Sequence, residues 1–183
     1  MFFLLLLAAS IVLALLRGGK FSNLSRVHFR LPLLILVGLW IQIIIYSSFW
    51  QTNLQLKPLA PYAYLFSLGL LLVALARNLS LPGMRVVLFG FALNALVIAL
   101  NGGYMPTTPE ARAFAGQLIL APGETHNNSI GVGAETRLVF LTDVFAIPKT
   151  FPFPNVFSVG DTLIMLGVAY LIQNAMARAP DDG

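Results

Sequence analysis

Cysteine is absent from the 183 residues of this chain, and charged side chains are scarce. The lack of cysteine excludes disulfides, thiolate metal sites, iron–sulfur clusters and cysteine nucleophiles. Only 10% of the residues are charged and 58% are hydrophobic, whereas a soluble domain carries roughly a quarter charged residues. A water-soluble fold of this size could not bury so much apolar surface. The composition therefore predicts an integral membrane protein.

Missing motifs narrow the chemistry further. The apolar stretches contain no histidine or lysine, which argues against a bis-histidine haem site and a retinal Schiff base. Metalloprotease, hydrolase, P-loop and dinucleotide-binding motifs are also missing. The net charge of +4 does not indicate a nucleic-acid partner, because the basic residues flank apolar runs. We expect no cofactor and no metal, and we favour a protein that is not an enzyme.

Five apolar stretches predict an all-α integral membrane bundle of about five transmembrane helices with a partly helical outer cap. A helix that crosses the bilayer core needs about 20 residues, with a range of about 17–25. The second and fifth stretches reach this length, and the others would recruit flanking residues or lie in thinned lipid. Residues 1–183 then form one membrane domain. The predicted spans are residues 2–16, 31–49, 62–76, 86–100 and 156–176.

The distribution of lysine and arginine predicts the orientation of the bundle. The N-terminus lacks the basic start and the small-residue cleavage pattern of a signal peptide, so we expect an uncleaved anchor. Because a basic cluster follows the apolar stretch, we expect the N-terminus to lie outside. The C-terminal residues 179–183 would then lie in the cytoplasm. The basic residues predicted on the inner side are Arg17, Lys20, Arg26, Arg30, Arg77, Arg85 and Arg178.

Residues 101–155 are too polar in their middle to cross the membrane and predict the outer cap. A threonine precedes Pro109 and can cap a helix there, while Glu110 favours the positive end of the helix dipole. We therefore predict a short helix over Pro109–Leu120 and a second one over Thr136–Phe145. Both would lie against the membrane surface or over the end of the bundle.

Four polar side chains from four apolar stretches fall at one depth, roughly 8 to 10 Å below the predicted outer face at about 1.5 Å per residue. They are Gln42, Ser67, Asn94 and Asp161. A carboxylate in hydrocarbon is costly unless it is paired, hydrated or protonated, so Asp161 should face the bundle interior. Two interpretations stay open. The layer either locks the helices together through hydrogen bonds or lines a water-accessible pocket with Asp161 as proton acceptor or ligand contact.

The cap contributes the remaining candidate residues. An arginine beside an apolar surface needs a carboxylate, so we predict that Arg137 pairs with Asp143 or Asp161. This pairing would be structural, with a catalytic role as the alternative. His126 is interpreted as a solvated loop histidine rather than a general base or metal ligand. The candidate ligand-binding residues are Gln42, Asn94, Arg137, Asp143 and Asp161.

Three segments of the C-terminal half carry a family resemblance. They read NGGYMP at residues 101–106, TRLVFLTD at 136–143 and NVFSVGD at 155–161. These patterns resemble an uncharacterised, domain-of-unknown-function family of small bacterial multi-pass membrane proteins, although a glycine usually stands where this chain has Thr142. The resemblance covers the N-terminal half only by its helix pattern. It implies a bacterial plasma (inner) membrane and implies no activity.

Two functional hypotheses follow. The leading one is a non-catalytic accessory or structural subunit that sits among membrane lipids and packs beside a larger membrane protein complex; short spans and few polar lining residues favour it. The alternative is a pocket-bearing membrane enzyme, or a binder of a lipid or quinone-like ligand, that uses the polar layer around Asp161.

Overall fold

The computed structural model describes residues 2–177, so the predicted inner position of Arg178 and of residues 179–183 lies outside the described part. Helices occupy all five apolar stretches, and shorter helical segments join them. The α-helices are α1 (Phe2–Leu16), α2 (Pro32–Ile45), α3 (Ser48–Thr52), α4 (Ala60–Arg77), α5 (Met84–Leu100), α6 (Pro109–Phe114) and α7 (Val159–Ala177). Short 3-10 helices cover Phe21–Arg26, Lys57–Leu59 and Val139–Leu141.

The segment between α5 and α7 corrects the all-α prediction. Its strands are β1 (Met105–Thr107), β2 (Thr125–His126), β3 (Ser129–Gly131), β4 (Phe145–Ile147) and β5 (Asn155–Phe157). One sheet has the order β1-β3-β2, with β1 parallel and β2 antiparallel to β3, and the other pairs β4 with β5 antiparallel. The chain is therefore mostly helical, with two small sheets in the cap. Strands of two or three residues are too short to show an alternating pattern in the sequence.

Both helices predicted within the cap need correction. The first ends at Phe114 because Gly116 adopts a positive φ of 66°. The Gly116 amide donates to Ala113 O and the Gln117 amide to Arg112 O, which is the Schellman arrangement that closes a helix. The helix predicted over Thr136–Phe145 is wrong, because this stretch holds a single 3-10 turn and the start of β4.

The second and fifth predicted spans are shorter in the structure. Helix α2 ends at Ile45, and Ser47 then caps α3 by accepting a hydrogen bond from the Trp50 amide. Helix α7 begins at Val159 rather than Val156, because the preceding residues pair as β5. By length and apolar composition, two helical segments qualify as membrane spans, Lys57–Arg77 and Val159–Ala177. The other three apolar helices are shorter, so the five-span bundle stays a prediction.

The long helices pack in the order α2, α4, α5, α7, α1. The α5–α7 pair is the closest, because glycines on the two antiparallel helices face each other. A β-carbon added to Gly83 would lie 2.2 Å from Gly167 O, and one added to Gly90 would lie 2.5 Å from Gly160 O. The facing glycines are seven residues apart on each helix, about two turns, so one narrow seam runs along the pair.

The connections between the helices gather at two ends of the bundle. At one end, Asn23 Nδ2 donates to Met176 O at 3.0 Å, which joins the loop after α1 to the end of α7. At the same end, the Asn78 side chain accepts a hydrogen bond from the Arg30 amide at 2.7 Å and donates one to the Arg30 carbonyl oxygen at 2.8 Å. The cap covers the opposite end, where Gly103 lies against Pro61 at the start of α4.

Candidate functional site

A hydrogen-bonded cluster joins α5 to the first turn of α7. Asn94 Nδ2 donates to Asp161 Oδ1 at 2.9 Å. Asp161 Oδ2 lies 2.9 Å from both the backbone amide and the hydroxyl of Ser158. The single hydroxyl hydrogen of Ser158 donates either to this oxygen or to Asn94 Oδ1, which is 2.8 Å away. Asp161 therefore faces a neighbouring helix, where its carboxylate is paired.

Ser158 and Asp161 form a capping box at the start of α7. Ser158 Oγ accepts a hydrogen bond from the Asp161 amide at 3.0 Å, while the Asp161 carboxylate accepts one from the Ser158 amide. Two backbone donors that a helix start leaves unpaired are thereby satisfied. Ser158 was not among the sequence-predicted site residues. The signal that could have identified Ser158 is the Ser-x-x-Asp spacing before an apolar run.

The four residues of the predicted layer form two separate hydrogen-bonded pairs. Gln42 Nε2 on α2 donates to Ser67 Oγ on α4 at 3.1 Å, and the fully buried Ser67 hydroxyl donates to Tyr64 O at 2.7 Å. Asn94 and Asp161 form the other pair, between α5 and α7. Gln42 is thus a helix-packing contact between α2 and α4, while Asp161 also reaches a cavity at the cap.

This cavity lies between the cap and the end of the bundle that the cap covers, and it has a volume of about 600 Å³. Polar side chains from both parts of the protein line it. The acids come from the loop before β4 and from α7, and the guanidinium comes from α6. The main polar lining residues are Arg112, His126, Asn128, Asp143, Asn155 and Asp161.

Asp143 is the most unusual group in the cavity wall. Its side chain is only 8% exposed, and its Oδ1 atom has no hydrogen-bond partner within residues 2–177. Burial, together with the charge of Asp161, raises the pKa of Asp143 to about 8, although the Arg112 guanidinium opposes this rise. The backbone is held firmly, because the Asp143 amide donates to Pro106 O at 3.0 Å. The backbone of Asp143 is therefore held in place, while one oxygen of its buried carboxyl group lacks a donor within residues 2–177.

Arg112 is the cation that acts on Asp143. Its Nε donates to Leu118 O and its Nη1 to Thr107 Oγ1 at 3.3 Å, so the buried guanidinium is anchored beside the cavity. Arg137, which the sequence analysis paired with Asp143 or Asp161, has an exposed side chain. Its backbone amide donates to Asn101 Oδ1 at 2.9 Å, and its carbonyl accepts from Asn101 Nδ2 at 3.1 Å. The structure thus places Arg112, and not Arg137, in the lining of the cavity that contains Asp143 and Asp161.

His126 has an exposed side chain at the rim of the same cavity. Within residues 2–177, no group of three or more histidine, aspartate or glutamate side chains is placed to hold a metal ion. The arrangement offers two carboxyl groups, one guanidinium and several amides, which suit binding through charge and hydrogen bonds.

Comparison with known proteins gives one match. The profile of a family of unknown function, DUF5317, matches residues 26–173, which include α2 to α6, the whole cap and most of α7. No curated protein and no solved structure matches the chain.

Proposed function

This chain belongs to the DUF5317 family of unknown function, and we propose that it is a multi-pass protein of the bacterial plasma membrane that binds a ligand in the cavity beneath its outer cap. The observation that carries this proposal is the buried carboxyl group of Asp143, which lines the cavity together with Asp161 and whose Oδ1 atom has no hydrogen-bond partner within residues 2–177. Enzymatic activity is not part of the proposal.

Exposed apolar side chains on all five long helices support the membrane location. Soluble monomers rarely present contiguous apolar patches larger than a few hundred Å². Here each long helix has a large apolar side chain that is at least 60% exposed: Leu4, Leu33, Phe66, Phe89 and Leu166. Lipid contact explains why these side chains are exposed, because acyl chains surround apolar groups favourably and water does not.

The ends of the helices support the predicted orientation. Asn23 and Asn78 tie the loops that follow α1 and α4 to one end of the bundle, opposite the cap. An excess of basic residues marks the cytoplasmic side of a membrane protein, so this rule favours an outer position for the cap and its cavity. The basic residues carried by this end of the bundle are Arg17, Lys20, Arg26, Arg30, Arg77 and Arg85.

The cavity itself supports a binding role. Its volume of about 600 Å³ falls within the range of about 300–1,000 Å³ that is typical of ligand pockets. Two carboxyl groups and one guanidinium in its lining can bind a ligand through charge and hydrogen bonds. A carboxyl group whose pKa is shifted by burial and by a neighbouring acid is a frequent feature of functional sites. The accessory-subunit hypothesis stays a prediction, because lipid contact alone accounts for the exposed apolar faces.

The test is to identify the molecules that copurify with the protein. Native mass spectrometry of protein extracted gently from its own membranes would compare the wild type with Asp143→Asn. The matched control is Glu110→Gln, an exposed acid in the cap. We expect a bound molecule in the wild type and the control, and at least about a tenfold loss in Asp143→Asn, equivalent to about 1.4 kcal/mol. An empty wild-type cavity, or equal retention in all three proteins, would overturn the proposal.

A further inference from the structure

An apolar groove runs between α1 and α7 on the outer half of the bundle. Its volume is about 360 Å³, and its walls are almost entirely hydrocarbon. Leu4 and Leu166, which are 61% and 60% exposed, stand on its two sides and face away from the core. In a bilayer, a groove of this composition lies open to the acyl chains of the lipid.

The groove adjoins the polar cavity beneath the cap. Phe3 lines both spaces, and Thr162 in the groove directly follows Asp161 in the cavity wall. A single molecule can therefore extend from the lipid side of α1 and α7 to the carboxyl groups under the cap. The two spaces together match an amphipathic ligand, which has a hydrocarbon chain at one end and a polar group at the other.

The charges in the cavity indicate which polar group fits. Asp143 and Asp161 both line the cavity, and two carboxyl groups favour a cation with N–H donors. The buried Arg112 guanidinium lines the same cavity and favours a phosphate. A headgroup that carries an ammonium and a phosphate matches both signs of charge.

From this arrangement, and resting on the proposed function, we propose that the ligand is a phospholipid with a primary-amine headgroup. Its ammonium lies between Asp143 and Asp161, its phosphate faces Arg112, and one acyl chain occupies the groove between α1 and α7. The occupant is a membrane lipid and not a free soluble amine, because the groove that adjoins the cavity is lined almost entirely by hydrocarbon and suits an acyl chain.

Proton release should accompany binding. Asp161 on α7, Arg112 on α6 and Tyr64 on α4 act on Asp143 electrostatically, and His126 stands at the rim of its cavity. Near neutral pH the empty site holds a proton on Asp143, because burial and Asp161 raise its pKa to about 8. An ammonium at the site favours the ionised carboxylate. Binding then exchanges the proton of the carboxyl group for a salt bridge and releases that proton to water.

The experiment uses the full chain in nanodiscs made of phosphatidylglycerol with a minor fraction of phosphatidylethanolamine. Native mass spectrometry measures which lipid stays bound to the wild type, Asp143→Asn, Leu7→Trp and Leu5→Trp. Leu7 lines the groove and Leu5 does not, although both are 38% exposed on α1. We expect about tenfold enrichment of the amine lipid in the wild type and in Leu5→Trp, and its loss in Asp143→Asn and Leu7→Trp.

A second arm replaces the lipid with water-soluble phosphoethanolamine. If phosphoethanolamine binds as tightly as the lipid and Leu7→Trp has no effect, the groove is not used and the lipid inference fails, while the proposed function stands. Enrichment of phosphatidylglycerol that depends on Asp143 would likewise overturn the headgroup assignment and leave the proposed function intact. If neither the lipids nor phosphoethanolamine binds to wild-type protein that also copurifies empty, both proposals fail.

Discussion

Gly160 lies so close to Asn94 that a β-carbon at position 160 would stand 1.9 Å from Asn94 Oδ1. The absence of a side chain at Gly160 thus lets the amide of α5 reach Asp161 on α7 at 2.9 Å. The same seam brings Gly83 against Gly167 two turns farther along the pair. Close backbone approach and the polar pair are therefore parts of one contact between the two helices.

Gly160→Ala is expected to destabilise the protein by about 1–3 kcal/mol, because the added methyl group must displace Asn94 or separate the helices. The control is Gly69→Ala on α4, where an added β-carbon meets no atom within 4 Å. Replacing a helical glycine there should raise stability by about 0.5–1 kcal/mol. Reversible unfolding in detergent measures both effects. Equal effects of the two substitutions would show that the seam is loosely packed.

Double-mutant cycles should separate the two polar pairs of the bundle. Asn94→Ala and Asp161→Ala remove two sides of one hydrogen bond, so their effects on the free energy of unfolding should couple by about 0.5–2 kcal/mol. Gln42 belongs to the other pair, in which it donates to Ser67. The effect of Gln42→Ala on the free energy of unfolding should therefore add to that of Asp161→Ala within about 0.5 kcal/mol. Strong coupling between Gln42 and Asp161 would instead support one continuous layer.

Asp143→Asn is expected to stabilise the ligand-free protein at neutral pH. The folded protein raises the pKa of Asp143 from its ordinary value of 3.8 to about 8. Between these values the unfolded chain has lost a proton that the folded chain keeps, so the wild-type stability should fall as pH rises, by at most about 1.4 kcal/mol per pH unit. Below about pH 4 and above about pH 8 this contribution should level off.

Unfolding of delipidated protein between pH 4 and 8 measures this slope, which Asp143→Asn should remove. Glu110→Gln alters an exposed acid of the same cap and should leave the slope unchanged. A wild-type curve that is as flat as that of Asp143→Asn would mean that the cavity hydrates this carboxyl group well enough to keep its ordinary pKa.

Labelling of single cysteines should place the cap outside the cell. The chain has no cysteine of its own, so each introduced thiol reports alone. Glu135 is exposed in the cap, and Ser22 is exposed at the opposite end of the bundle. A membrane-impermeant maleimide should label Glu135→Cys in intact cells and Ser22→Cys only after the cells are permeabilised. The reverse pattern would put the proposed binding cavity in the cytoplasm.

The helical part of the fold was largely readable from the sequence. The run that was predicted to span residues 62–76 appears as α4, Ala60–Arg77, and the run at 86–100 appears as α5, Met84–Leu100. A helix satisfies its backbone hydrogen bonds within itself, so its position depends mainly on local residues. The capping box can also be recognised in the sequence, because Ser158 and Asp161 are three residues apart.

The cavity was decided only by the tertiary structure. Asp143 lies beside Thr107 through a parallel backbone bridge, and Thr107 Oγ1 in turn holds Arg112. These contacts join segments of irregular chain whose strands are too short to leave a periodic signal. Nearness in sequence suggested Arg137 as the partner of the acids, whereas the folded cap brings Arg112 into the cavity that Asp143 and Asp161 line. The sequence by itself determined the helices and the capping box. Because burial depends on contacts between distant residues, only the folded chain decided that the Oδ1 atom of Asp143 has no hydrogen-bond partner within residues 2–177.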